Sequence, residues 1–286
     1  MSACLRLSVI CVTLSLIAGC STIRLAYDHA DTWLRWRAGH YLDVHGEQAD
    51  ELDQRIDAFR DWHRAKALPK YARLCEEAAR RLGEGLSRED IVWGYDSLMA
   101  QARESLRAAA ERIAPMLDRL SPEQLSYMER RFAEDNRKFA RENLRGSEAE
   151  RRKRRATRTV EWLEDWVGKL SKTQLERVRQ FSERAPLYYE MRERDRRRLQ
   201  GELLAMVRAR EAQKRLPERA ANFDQGRDPA YAAASKAARL EYYALLLDLD
   251  RMLSAEQRAR AVGNLRRYAN DFATLARRAA PEPPPR

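Results

Sequence analysis

The stretch PEQLSYMERRFAEDNRKFARENLRGSEAERRKRRATRTVEWLEDWVGKL, residues 122–170, decides the architecture. Leu125, Met128, Phe132 and Phe139 recur at the spacing of one helix face as far as about residue 144. Gly146-Ser147 breaks the pattern, and Val160, Leu163, Val167 and Leu170 resume it. Two amphipathic helices around a short break predict an antiparallel helical hairpin.

The same periodicity extends outward in both directions. A segment at about 24–38 carries Leu25, Trp33, Leu34 and Trp36 and is expected to stop at Gly39. One at about 47–65 places Leu52, Ile56, Phe59 and His63 three or four residues apart. Pro69 opens a helix at about 69–82, because a missing N–H costs nothing in a first turn. Ile91, Tyr95, Leu98, Ala102 and Leu106 mark a helix at roughly 88–119, which Pro115 should kink or shorten. Later helices are expected at about 172–185, 187–213, 229–252 and 255–279. No β-type alternation or hairpin dipeptide interrupts them. The predicted fold is all-α, an elongated multi-helix assembly of antiparallel hairpins.

Composition agrees. Of 286 residues 35% are charged and 44% hydrophobic, with only 11 Gly and 10 Pro. A mean hydropathy of −0.72 excludes a polytopic membrane protein, and the apolar content excludes a wholly disordered one. A formal charge of +11 favours an anionic partner.

Three helix starts share a pattern: Leu120-Ser121-Pro122-Glu123-Gln124, Leu170-Ser171-Lys172-Thr173-Gln174 and Leu253-Ser254-Ala255-Glu256-Gln257. Each reads as a capping box, in which Ser accepts from a free backbone amide and Gln reaches back. Their unequal spacing argues against a regular solenoid.

The N-terminus carries Arg6, then an apolar run from Leu7 to Ala18, too short to span a membrane. It ends Leu16-Ile17-Ala18-Gly19-Cys20, which resembles the lipobox of bacterial lipoproteins. That resemblance implies a signal peptide at 1–19, acylation of Cys20 and a helical lipoprotein domain at 20–279. Ser21, where an Asp would favour inner-membrane retention, implies sorting to the periplasmic face of the outer membrane. Residues 280–286, Ala-Pro-Glu-Pro-Pro-Pro-Arg, are expected to be a disordered tail. Cys4 and Cys11 leave with the signal, so Cys75 remains as an isolated thiol, expected to pack as a small hydrophobe.

Cys20-Ser21, Leu25-Ala26-Tyr27, Trp33, Trp36, Tyr41-Leu42-Asp43 and Gln48 form one block; Trp62-His63-Arg64 with Leu68-Pro69-Lys70-Tyr71 forms a second. Together they resemble an uncharacterised family of Gram-negative helical lipoproteins, which implies an all-α lipoprotein without assigning an activity. The L-S-x-x-Q boxes are also similar to the L-T-x-x-Q motif of small periplasmic chaperones, which bind unfolded clients on a basic concave face.

Catalytic patterns are sparse. His29, His40, His45 and His63 lack metal-ligand spacing, and no cofactor or metal is expected. Nucleophile elbows, phosphate loops and dinucleotide fingerprints are missing, so no enzymatic activity is expected. Glu104-Ser105 opens like a lytic transglycosylase motif but runs on into Leu106-Arg107-Ala108 without a glycine-rich loop. The six tryptophans are expected to fill core gaps; Trp33 and Trp36, near the anchor, also suit a membrane interface.

Basic tracts are better defined. From Arg137 to Arg158 ten Lys or Arg face Glu142, Glu148 and Glu150, and five Arg cluster between 192 and 198. Export rules out nucleic acid as the partner. Arg151, Arg152, Lys153, Arg154 and Arg155 are therefore the candidate contact for an envelope protein, an anionic cell-wall polymer or a lipid surface. The expected function is a lipid-anchored, non-enzymatic binding or structural module. A tethered holdase is the alternative, and a cell-wall hydrolase a remote one.

Overall fold

The computed structural model describes residues 22–277, and the helical segments follow one another closely, with no strand among those residues. Helices α1 (Thr22–Asp28), α2 (Ala30–Leu42) and α3 (Glu47–Trp62) lead into a π-helical turn, His63–Ala67. Then come α4 (Leu68–Glu84), α5 (Arg88–Leu117), α6 (Pro122–Asn143) and α7 (Glu148–Val167). The series closes with α8 (Lys172–Arg184), α9 (Tyr189–Arg208), α10 (Ala212–Ala221), α11 (Pro229–Met252) and α12 (Ala255–Arg277). The all-α expectation holds. The expected signal peptide, Cys20, Ser21 and the expected Pro-rich tail lie outside the described residues.

The helices sort into two units of like connectivity. In the first, α2 packs on α6 and α3 on α5. In the second, α7 packs on α12 and α8 on α11. Each unit joins two consecutive helix pairs, α2–α3 with α5–α6 in the first and α7–α8 with α11–α12 in the second, and has its own core. Leu42, Leu52, Ile56, Met116 and Met128 anchor the first; Leu163, Leu170, Val178, Leu245 and Leu249 anchor the second. The break at Gly146-Ser147 is the junction between the units. Helices α6 and α7 hardly touch, so the hairpin expected there does not form. Each helix turns its stripe to its own core: Met128 is buried in the first and Leu163 in the second.

The L-S-x-x-Q boxes lock the turns of these helix pairs together. Ser121, Ser171 and Ser254 each accept from the backbone N–H of the Gln three residues on, and each Gln Oε1 accepts the Ser N–H. The amide nitrogen then bridges to the neighbouring turn. Gln174 Nε2 donates to the Met252 carbonyl at 3.1 Å, and Gln257 Nε2 donates to the Lys169 carbonyl at 3.0 Å. In the first unit Gln124 Nε2 donates to the Asp43 carbonyl at 3.0 Å and to Gln48 Oε1 at 2.7 Å. Val44-His45-Gly46-Glu47-Gln48 therefore occupies the fourth box position, with His where the others have Ser. The boxes pair one-to-one, a regularity hidden while only three were counted.

Short residues join the remaining helices. Along α12, Ala261 and Ala269 are buried, as is Ala79 of α4, and these two helices form the most extensive contact of the fold. Helix α10 lies against α5, where Ala108, Ala110 and Ala114 are buried. Small side chains let helix axes approach and multiply dispersion contacts.

Several boundaries differ from expectation. Gly39 does not end α2, which continues until Asp43 adopts φ 49° and caps Gly39 O; Leu42 is thereby carried into the core. Pro69 sits inside a continuous helical path: the turn before it widens, with the Leu68 N–H reaching His63 O. A widened turn relieves the clash between the proline ring and the carbonyl four residues back. The segment expected at 187–213 divides at Ala209–Glu211, where Arg210 has φ 55°. Asp118 receives the N–H groups of Ala212 and Gln213 at 2.7 and 2.9 Å, restarting the chain as α10. Pro115 lies inside its helix, which continues past it to Leu117.

Candidate ligand cleft

The five basic residues at 151–155 divide by helix phase rather than forming one contact face. Arg155 turns inward and donates to the carbonyls of Ser182, Ala185 and Pro186 at 2.5, 2.7 and 2.9 Å, closing the C-terminus of α8. Arg152 donates to the carbonyls of Ser182 and Ala185 at 3.0 and 3.1 Å. Arg151 pairs with Glu190. Burial lowers the Arg155 pKa, and its guanidinium sits 5.6 Å over the Phe181 ring. Lys153 is exposed, and Arg154 reaches the Arg145 carbonyl at 2.6 Å. Three of the five arginine and lysine heads thus stitch α7 to the α8–α9 turn.

Other candidates also find internal partners. Both carboxylate oxygens of Glu104 accept from Lys70 Nζ at 2.6 Å. His40 receives the Arg131 guanidinium, and His63 faces Tyr27 Oη at 3.2 Å. No cluster able to hold a metal ion occurs among the described residues. Cys75 is half-buried and unpaired, and burial pushes its thiol to about 11. The tryptophans do not fill the core as expected. Trp33 and Trp36 are 58% and 62% exposed, and Trp162 also shows a large open face.

Trp162 points to a feature that sequence reading missed. A cleft of about 820 Å³ lies between α4, α5, α7, α8, α11, α12 and the start of α9. Among the described residues its wall holds nine aromatic side chains and five arginines against one carboxylate, Asp90. Ring contacts knit the wall: Tyr242 lies 5.7 Å from Phe181 and 6.3 Å from Trp162, while Tyr95 meets Tyr243 at 5.9 Å. Tyr188 and Tyr231 meet at 5.9 Å where α9 and α11 begin. Burial drives the Tyr242 hydroxyl up to about 12 and raises those of Tyr231 and Tyr243. These phenols stay neutral, so the positive charge of the arginines is not cancelled from within the wall.

The arginines differ in what they already hold. Arg81 is bound to Glu77 and Asp90 and lies 4.1 Å over Trp93. Asp90 is drawn down to about 2, first by the Ser87 hydroxyl and backbone, then by Arg81. Arg227 reaches Asp195 at 3.4 Å. Arg239 donates to Tyr95 Oη at 3.0 Å, and Arg192 faces the Phe139 ring at 5.9 Å. Neither of those two has a carboxylate partner among the described residues. The doublets Tyr188-Tyr189 and Tyr242-Tyr243, all four on the cleft wall, were the available sequence signal.

A family model for a family of unknown function, DUF6279, matches residues 40–226. The chain belongs to that family. The DUF6279 match takes in most of the first unit and runs through α10, ending just before α11. The cleft therefore combines walls inside the matched stretch with α11 and Leu265 of α12 beyond it. No curated protein and no solved structure matches the chain.

Proposed function

We propose that this DUF6279 member is a lipid-anchored, non-enzymatic binding protein on the periplasmic face of the outer membrane, with the aromatic and arginine cleft as its site. The cleft carries the reading: a concavity of this size, apolar with a few convergent charges, is the usual form of a ligand site. The lipobox-like run to Cys20 and the following Ser21 support the location. The holdase alternative draws less support, because the Gln side chains of the boxes are spent on locking the turns of the helix pairs. Glu104, tied through both oxygens to Lys70, is poorly placed to protonate a glycosidic oxygen.

The test is site-specific photocrosslinking in cells. A photoreactive residue replacing Ser235, on the cleft wall, should capture a ligand, and one replacing exposed Lys236 should not. Equal capture at both positions, or none at Ser235, removes the cleft as the site. Fractionation of the same cells tests the anchor. Cys20→Ala should lose palmitate-analogue label, and Ser21→Asp should shift the protein inward.

A further inference from the structure

The cleft is cationic and aromatic where α11 begins, carries Arg239 midway along α11, and is lined at its far end by leucines beside the paired Arg81 and Asp90. Where α11 begins, Tyr188, Arg192, Arg227 and Tyr231 surround it; toward the end of α11 the wall becomes Leu82, Leu86, Leu246 and Leu265. A smaller cavity of about 150 Å³ continues from there, sharing Leu82, Leu86, Trp162 and Leu246 and adding Val167 and Leu249. From Tyr231 to Leu246 the wall follows α11 for roughly 22 Å at about 1.5 Å per residue, the reach of a fatty acyl chain.

We infer that the cleft binds a single-chain anionic amphiphile, with its head at Arg192 and Arg239 and its hydrocarbon tail among Leu82, Leu86, Leu246 and Leu265. The inference rests on the cleft being the ligand site. Charge selects the head: two cleft-wall guanidiniums without carboxylate partners among the described residues favour a carboxylate or phosphate. The leucine end selects the tail. An acidic peptide would bring backbone amides into that end, where Asp250 is already committed to the Leu86 N–H and to Arg258, and unpaired amides there are costly. Methylene groups carry no such penalty and gain about 0.8 kcal/mol each on burial. A free fatty acid and a lysophospholipid share this chemistry.

The acylated full chain, purified in a non-ionic detergent, is labelled with a sixteen-carbon fatty acid bearing a terminal diazirine, and with its methyl ester. Insertion sites are mapped by mass spectrometry. The acid is expected to label peptides containing Leu82–Leu86 and Leu246. Arg192→Gln with Arg239→Gln should lower that labelling roughly tenfold and leave Arg251→Gln, on the open surface, at the wild-type level. Leu246→Trp should block the deep end; the arginine variants keep the test valid if that variant misfolds. Stronger competition by palmitate assigns a carboxylate head, and by lysophosphatidylglycerol a phosphate head; either supports the inference. Equal labelling by acid and ester, or arginine variants that label normally, overturns it. Absence of cleft label alongside capture at Ser235 also overturns it but leaves the binding role standing. Absence of both removes the two together.

Discussion

Gln174 and Gln257 exchange hydrogen bonds amide to amide, at 2.9 Å in one direction and 3.1 Å in the other. Each oxygen also accepts its own Ser N–H and each nitrogen also reaches a carbonyl across the interface. Every donor and acceptor of both amides is thereby used. Gln174 is 1% exposed, so loss of this partner network cannot be repaired by water.

Gln174→Leu should therefore cost about 2 kcal/mol, because the Met252 carbonyl and the Ser171 N–H lose their partner and the Gln257 amide keeps only its bonds to Ser254 and Lys169. Adding Gln257→Leu should cost less than the sum of the two single changes, since the partly unpaired amide goes with it. Urea melts of the two single variants and the double variant measure the coupling. Strict additivity would show that each Gln acts only as a cap for its own helix.

The helices, their capping boxes and the all-α class were legible because they depend on local periodicity and short-range bonds. Ser121, Ser171 and Ser254 cap as the boxes imply. The pairing of boxes was not legible, because it is a contact between Gln side chains far apart in sequence. The pattern was further masked where His45 replaces Ser. The hairpin expected across Gly146-Ser147 failed for a similar reason: periodicity shows that α6 and α7 each have an apolar face, not which core receives it. The cleft was invisible because its wall collects residues from seven helices far apart in sequence, and an Arg or Tyr on an amphipathic helix looks the same whether it faces solvent or a cavity.

The basic run offers a contrast between neighbours. Arg155→Met should destabilise the fold by about 2 kcal/mol, since the carbonyls of Ser182, Ala185 and Pro186 lose a charged donor at a helix end. Lys153→Glu, on the exposed side of the same turn, should stay within about 0.5 kcal/mol of wild type. Thermal melts decide between them. Equal, small effects would return the whole run to the role of a free surface patch.

Acid should loosen the N-terminal end. His63 is packed among Tyr27, Phe59, Trp62 and Tyr71, and burial holds its pKa below the ordinary 6.5. Below about that pH the unfolded chain binds a proton that the folded chain resists. This contribution to stability is complete above about pH 6.5 and is lost as pH falls toward the lowered value. Between about pH 5 and 7 the wild type should lose Tm on acidification, and His63→Gln, which keeps a polar partner for Tyr27, should lose less. The carboxylates add their own losses mainly below this window. Parallel Tm curves for the two proteins would show that His63 is protonated as freely in the folded chain as in the unfolded one.

Helix α1 is held to the body by Arg24, which reaches the buried Asp271 of α12 at 2.9 Å, and by the Tyr27–His63 contact. Docked in this way, α1 and α2 leave Leu25, Trp33 and Trp36 at least half exposed within a short distance in sequence of the proposed acylation site at Cys20. Indole rings prefer the headgroup region of a bilayer, so anchoring should lay this face against the lipid. The acylated protein in vesicles containing brominated phospholipid should show tryptophan quenching that falls when Trp33 and Trp36 are both changed to Ala. Changing Trp162, on the cleft wall, should leave the quenching nearly intact. Retention on the vesicles should not change, because each buried acyl methylene of the proposed anchor adds about 0.8 kcal/mol, which far outweighs two indoles. Stability should hold as well, since exposed side chains away from special contacts contribute within about 0.5 kcal/mol. Quenching that persists in the double variant would place other tryptophans at the lipid and turn the body over on its anchor.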